Sequence, residues 1–187
     1  MLYIMDTNGK NLTLITERNA RGLVWSPNSK QIAFVSYYYD TPNLFTIDID
    51  SKQVTELMAD QLGAMDGQLM WSPAGKSITM AAHEGDIGAS DVYQRDIVII
   101  GADGTNITNL TKKFQFFFAQ NPVWSPDSKY IAFDEDQGST YEATSDIYVI
   151  DVNSKKLTNL THNQAGSRMP AWSVDGKHIA FAAPSTK

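Results

Sequence analysis

The chain contains no cysteine. That excludes a disulfide framework, thiolate metal sites and a cysteine nucleophile together, while leaving the compartment open. Histidine is scarce: His83, His162 and His178 show no metal-ligand spacing. Basic residues are outnumbered, 15 Lys and Arg against 21 Asp and Glu, for a formal charge of −6 and a pI near 4.9. This balance argues against a nucleic-acid partner, whose phosphates demand a basic surface. No apolar run approaches the ~20 residues that span a bilayer, so no membrane span is expected. The first residues, Met1 to Asp6, show no basic stretch followed by an apolar one, so no signal peptide is visible. No segment of useful length carries a 3.6-residue apolar period, which excludes a helical solenoid. Phosphate-binding glycine loops, dinucleotide fingerprints and the Gly-x-Ser-x-Gly nucleophile elbow are all missing.

What is present is a repeat. The 187 residues, 42% hydrophobic and 11% aromatic, suffice for one domain with a real core. Four tryptophans, Trp25, Trp71, Trp124 and Trp172, are spaced 46, 53 and 48 residues apart. Each sits in one phrase: LVWSPNSKQIAFVS, LMWSPAGKSITMAA, PVWSPDSKYIAFDE and PAWSVDGKHIAFAA. A second phrase alternates with it, as in LFTIDIDSKQVTEL from Leu44 and IYVIDVNSKKLTNLT from Ile147. Both phrases are β-rich runs broken by Asn, Asp, Ser, Gly and Pro, the composition of hairpins. Two hairpins per unit of ~40–50 residues is the signature of a propeller blade. The expected fold is therefore all-β, a β-propeller of four-stranded antiparallel blades. Half a blade is expected at 2–16, blades at about 20–57, 67–111 and 120–161, and a second half at 168–183.

The Trp-Ser-Pro-Asp-Ser-Lys-Tyr-Ile-Ala-Phe run at 124–133, with Asp-Ile-Tyr-Val-Ile-Asp at 146–151 and Leu-Thr-Asn-Leu-Thr at 157–161, resembles the TolB-type propeller repeat. The same repeat accompanies prolyl-oligopeptidase-like peptidases, but their nucleophile elbow is missing from this chain. The resemblance implies a periplasmic or other extracytoplasmic setting and a protein or peptide partner.

Within each unit the strand leading into Trp is read as innermost and the Leu-Thr-Asn-Leu run as outermost. The same phrase in all four copies assigns the tryptophans to packing between neighbouring blades, not to a binding platform. The chain opens on strands three and four and closes on strands one and two, so the halves sum to one composite closing blade. A self-closed four-blade ring is expected first, a homodimeric eight-blade ring second and part of a longer propeller third.

The hairpin turns place Lys10, Lys30, Lys52, Lys76, Lys129, Lys155, Lys156 and Lys177 on one face. The opposite face receives the loops 36–43, 82–96 and 134–146. This predicts a molecule with a basic lower face and an acidic, tyrosine-bearing upper face. The partner-binding candidates there are Tyr37, Tyr38, Tyr39, Asp86, Asp91, Tyr93, Glu135, Asp136 and Tyr141. No catalytic residue is assigned. A propeller hydrolase or lyase, or a peptidase's accessory domain, acting through loop carboxylates is the enzymatic alternative. No cofactor is required, although Asp134 and Asp136 open an Asp-x-Asp-x-Gly run that admits calcium. The twelfth position of that run is Ser145, not a bidentate Glu. The Phe114–Phe118 run is read as a plug over a blade junction or the channel, with a partner or self-association patch as its alternative.

Overall fold

The computed structural model describes residues 1–38, 41–58, 68–82, 95–114, 118–136, 145–162 and 166–185. Three complete four-stranded antiparallel sheets occupy the middle of the chain, each with its strands side by side in chain order. The first blade is β3 (Ala20–Trp25), β4 (Gln31–Tyr38), β5 (Thr41–Asp48) and β6 (Val54–Met58). The second is β7 (Met70–Trp71), β8 (Ser77–Ala82), β9 (Asp96–Gly101) and β10 (Thr108–Asn109). The third is β11 (Phe118–Trp124), β12 (Tyr130–Asp136), β13 (Ser145–Asp151) and β14 (Leu157–Asn159). Two-stranded sheets flank them: β1 (Leu2–Ile4) with β2 (Thr13–Thr16), and β15 (Arg168–Trp172) with β16 (Ile179–Ala182).

The turn after each Trp closes for a chemical reason. In the third blade, Ser125 Oγ donates to Asp127 Oδ1 at 2.7 Å and accepts the Tyr130 N–H at 2.9 Å. Asp127 Oδ1 also takes the Lys129 N–H at 3.1 Å. The Ser26–Asn28 and Ser173–Asp175 pairs repeat this geometry. The corner residue is left-handed each time: Ser29, Gly75, Ser128 and Gly176 have φ of 57°, 69°, 60° and 69°. Such side-chain to backbone bonds satisfy N–H groups that a two-stranded turn would otherwise leave open.

The innermost strand carries a second repeated device. The pairing register slips between Arg21 and Val24, between Gln120 and Val123, and between Arg168 and Ala171. A left-handed residue sits in each slip, Gly22, Asn121 and Met169, at φ 60°, 52° and 57°. Each is a β-bulge three residues before Trp, which re-aims the strand.

The core lies between blades. Leu2 and Ile15 pack on Ile32, Phe34, Phe45 and Ile47. Leu44 and Leu57 of the first blade meet Trp71, Ile78, Val98 and Ile100 of the second. Ile97 and Leu110 of the second blade meet Trp124, Phe133, Tyr148 and Ile150 of the third. Alternate residues of one strand thus serve opposite joints, which is why these third strands read as nearly continuous apolar runs.

Trp71 and Trp124 are buried in such joints and Trp172 is half-buried. Trp25 is 47% exposed, because the two-stranded sheet before it has no inner strands to cover it.

The composite closing blade is not assembled within the chain. Among the described residues, β1 pairs only with β2 and β16 only with β15. Four joints that each turned by a quarter would bring β16 back to β1. Among the described residues that pairing is not made, so the chain leaves two two-stranded sheets at its ends.

Two loop expectations also change. The segment 36–43 is largely strand: β4 runs to Tyr38, β5 resumes at Thr41, and Ser36 pairs with Asn43. Likewise β12 runs through Asp134, Glu135 and Asp136, and β13 begins at Ser145.

Candidate functional site

The end of the blades that carries the turns between second and third strands is here called the upper rim. The candidate residues Tyr39, Asp86, Asp91, Tyr93 and Tyr141 lie outside the described residues, as do His83 and the middle of the phenylalanine run. Tyr38 ends β4, and Phe114 packs on the joint between the second and third blades. Tyr37 is 39% exposed at the rim, with the Arg21 guanidinium 5.4 Å from its ring centroid.

The acidic candidates are placed differently from expectation. Asp134 is wholly buried and Glu135 is 2% exposed, so neither is a free loop carboxylate. Asp134 accepts Asn121 Nδ2 at 2.9 Å and the Met169 N–H at 3.1 Å. It thereby ties the bulge of its own blade to the bulge of the next. Burial pushes its carboxyl above the usual carboxylate range, against these bonds and the Arg168 charge. Asp136 accepts Arg168 Nη2 at 2.9 Å, and Arg168 Nε donates to Ser145 Oγ at 3.2 Å. Both members of the calcium pair are thus engaged by donors across a blade joint. A cation there would have to displace a guanidinium and a peptide N–H, so the donor set does not fit calcium well. Among the described residues, no group of three or more His, Asp or Glu is arranged to hold a metal.

Asp96 and Asp146, read as loop acids, are clasps. Asp146 accepts Thr161 Oγ1 at 2.7 Å and Asn159 Nδ2 at 2.9 Å, and Thr161 Oγ1 accepts the Ile147 N–H at 3.0 Å. Asp96, Asn109, Thr111 and Ile97 repeat the set. The Leu-Thr-Asn-Leu-Thr phrase holds the fourth strand to the third by this clasp. Burial, then the Glu135 and Asp146 charges, push the Tyr148 phenol up.

The upper rim has a cationic component that the sequence reading missed. The chain holds eleven lysines but only four arginines, Arg18, Arg21, Arg95 and Arg168. All four sit at the upper ends of strands or in the connection between β2 and β3. Arg18 lies 4.6 Å from the Phe45 ring centroid. The signal was available: each arginine falls within five residues of where an upper strand end was expected.

The lower face is not basic as a whole. Its lysines are exposed, but Asp48, Asp103, Asp127, Asp151 and Asp175 stand among them. Turn hydrogen bonds hold all five carboxyls below the usual range: chiefly from Ser51 to Asp48, Thr105 to Asp103, Ser125 to Asp127, Ser154 to Asp151 and Ser173 to Asp175. Charge of both signs therefore alternates along this face. No helix among the described residues is long and apolar enough to cross a membrane.

Comparison with known proteins agrees with this geometry. TolB from Acinetobacter baumannii superposes with a TM-score of 0.72 at 22% identity, covering 99% of this chain and 43% of that one. The putative TolB from Agrobacterium tumefaciens gives 0.69 at 20% identity over 97% of this chain and 66% of that one. The tricorn protease gives 0.75 at 16% identity over 96% of this chain and 16% of that one. At these identities the likeness is one of fold. In sequence, the uncharacterized peptidase YuxL of Bacillus subtilis (strain 168) is 24% identical over 188 residues. That match spans 100% of this chain and 25% of the peptidase, so the chain is about a quarter of its relative's length. Residues 1–186 match the TolB beta propeller domain, and the chain belongs to that family.

Proposed function

We propose that the chain is a non-catalytic interaction scaffold that binds a protein or peptide segment across its upper rim. The observation that carries this reading is the gathering of all four arginines and the exposed Tyr37 on that one rim. Tyr and Arg are over-represented among the residues that dominate binding energies. A rim built on strand ends holds them on a rigid base, which lowers the ordering cost of binding. The buried carboxylates beneath stiffen the rim and are not the contact surface. Alanine substitution of Arg21 and of Tyr37 tests the reading: each should weaken a bound segment at least tenfold without changing the fold.

A second reading is favoured by the similarity to a peptidase of which this chain spans a quarter. On it, the propeller is the accessory domain that presents a peptide to a catalytic domain elsewhere. The two readings share the rim and differ in the fate of the peptide. Cleavage of a bound peptide by the isolated chain would count against both.

A further inference from the structure

The lowest rung of the first blade carries a row of polar side chains. Gln31 of β4 lies opposite Asp48 of β5, and the Asp48 N–H donates to the Gln53 carbonyl, at the foot of β6, at 3.0 Å. The alternation along each strand fixes the side on which they stand. Ala33 and Leu44, at even steps from Gln31 and Asp48, pack towards the second blade. With Ser51 and Thr55, these residues line a notch of about 420 Å³, a size that holds a small ligand. The row belongs to a complete blade and faces a complete blade. The equivalent pairs are Ser77 with Gly101 in the second blade and Tyr130 with Asp151 in the third, so paired amides around a carboxylate occur in the first alone.

The chemistry of the lining narrows the ligand. Asp48 Oδ1 accepts the Ser51 N–H and Ser51 Oγ, each at 2.8 Å, and these bonds hold its carboxyl below the usual range. It is therefore an ionised, acceptor-only group at neutral pH. The side chains of Gln31, Gln53 and Thr55 have no hydrogen-bond partner among the described residues. Each amide offers donors and an acceptor, and the threonine hydroxyl offers both. An anion would meet the Asp48 charge. A cation would find a single carboxylate already holding two donors, with the Lys30 charge acting on it. The lining has no aliphatic or aromatic side chain to anchor an apolar group. What remains is a compact neutral body carrying donors and acceptors side by side, which is the pattern of vicinal hydroxyls.

We propose that this notch is a binding site for a neutral sugar. A ring hydroxyl donates to the Asp48 carboxylate, and the neighbouring hydroxyls exchange bonds with the amides of Gln31 and Gln53. The two amides stand one strand to either side of the carboxylate, about 5 Å away in each direction, and close on a ring held over it. The site lies at the lower end of the blades, away from the rim assigned to a peptide, and does not depend on that reading.

The test follows the side-chain amide signals of Gln31 and Gln53 in the isotope-labelled 187-residue chain. The probes are maltose, lactose and diacetylchitobiose, with citrate and spermidine as charged comparators. At least one sugar should shift both amides and saturate. Gln31→Ala and Gln53→Ala should each weaken that sugar by about three- to tenfold. Gln31→Glu keeps the length and loses the amide donors, so it should weaken binding as Gln31→Ala does. Lys129→Ala should leave it unchanged. The remaining signals of each variant should stay in place, which separates lost contact from lost fold. The proposal is overturned if no sugar shifts both amides, or if the shifts grow without saturating. It is equally overturned if citrate or spermidine acts more strongly than every sugar, or if the double alanine variant binds as the wild type does.

Discussion

The indole Nε1–H of Trp71 donates to the main-chain carbonyl of Val24, 3.3 Å away, across the joint between the first and second blades. Trp172 makes the same bond to Val123. Trp71 and Trp172 therefore each have two tasks, whereas the buried Trp124 Nε1 finds no hydrogen-bond partner among the described residues. In those two, the ring fills the wedge between twisted sheets, and the polar edge satisfies a carbonyl of the neighbouring inner strand.

Trp71→Phe keeps most of the packing and removes the bond. It should cost about 1–3 kcal/mol, because it leaves a smaller ring in a filled wedge and removes the indole's hydrogen bond. Trp25→Phe should cost less in a single chain, since half of that side chain already meets water. Urea midpoints of the two variants check the ordering.

Thr161→Val preserves shape and removes the centre of the clasp. The Ile147 N–H loses its acceptor and Asp146 loses a donor, for an expected loss of about 1–3 kcal/mol. An exposed threonine such as Thr13 offers the control, with an expected effect near zero. Hydrogen exchange at Ile147 should rise in the variant and not in the control.

Much of this was legible in advance, and the omissions share a cause. The tryptophan phrase and the Leu-Thr-Asn-Leu run marked every blade, because apolar alternation and turn chemistry are local. Asp134 and Glu135 were read as loop residues because carboxylates are rare in strands. The burial of Asp134 is matched by bonds from Asn121 and from Met169, whose partnership no local pattern encodes. The lower face seemed basic because counting lysines does not register aspartates folded onto turn N–H groups. The self-closed ring was expected because the two half-blades sum to one blade in sequence, but that sum does not report whether β1 and β16 pair within one chain, and among the described residues they do not.

Asp134→Ala should destabilise the chain by about 1–3 kcal/mol at neutral pH, since the Met169 N–H and the Asn121 amide would both lose their acceptor. Met169 holds a left-handed backbone that costs roughly 1–2 kcal/mol on its own, so the bulge should loosen first. Met169→Gly should recover part of the loss. Thermal unfolding of the single and double variants reads this out.

The pH dependence has two opposed parts. Asp48, Asp103, Asp127, Asp151 and Asp175 have depressed pKa values in the folded chain. Their contribution is present above the ordinary carboxylate pKa and is lost as pH falls through the depressed values. Asp134 has a raised value, so its charge is unfavourable at neutral pH, and protonation relieves that cost as pH falls through its folded pKa. The chain should therefore lose stability overall in acid. Asp134→Asn should flatten the relief at mildly acidic pH while leaving the steep loss below it. Unfolding midpoints taken across the acid range check both signs.

The central claim is that the upper rim is the binding surface. Its most direct test is selection of peptides from a random displayed library on the purified chain, followed by affinity measurement on variants. Selected peptides should lose at least tenfold in affinity with Arg21→Ala or Tyr37→Ala, and should be unaffected by Lys30→Ala with Lys129→Ala. Binders that ignore both rim substitutions and fail on the lower-face variant would contradict the account.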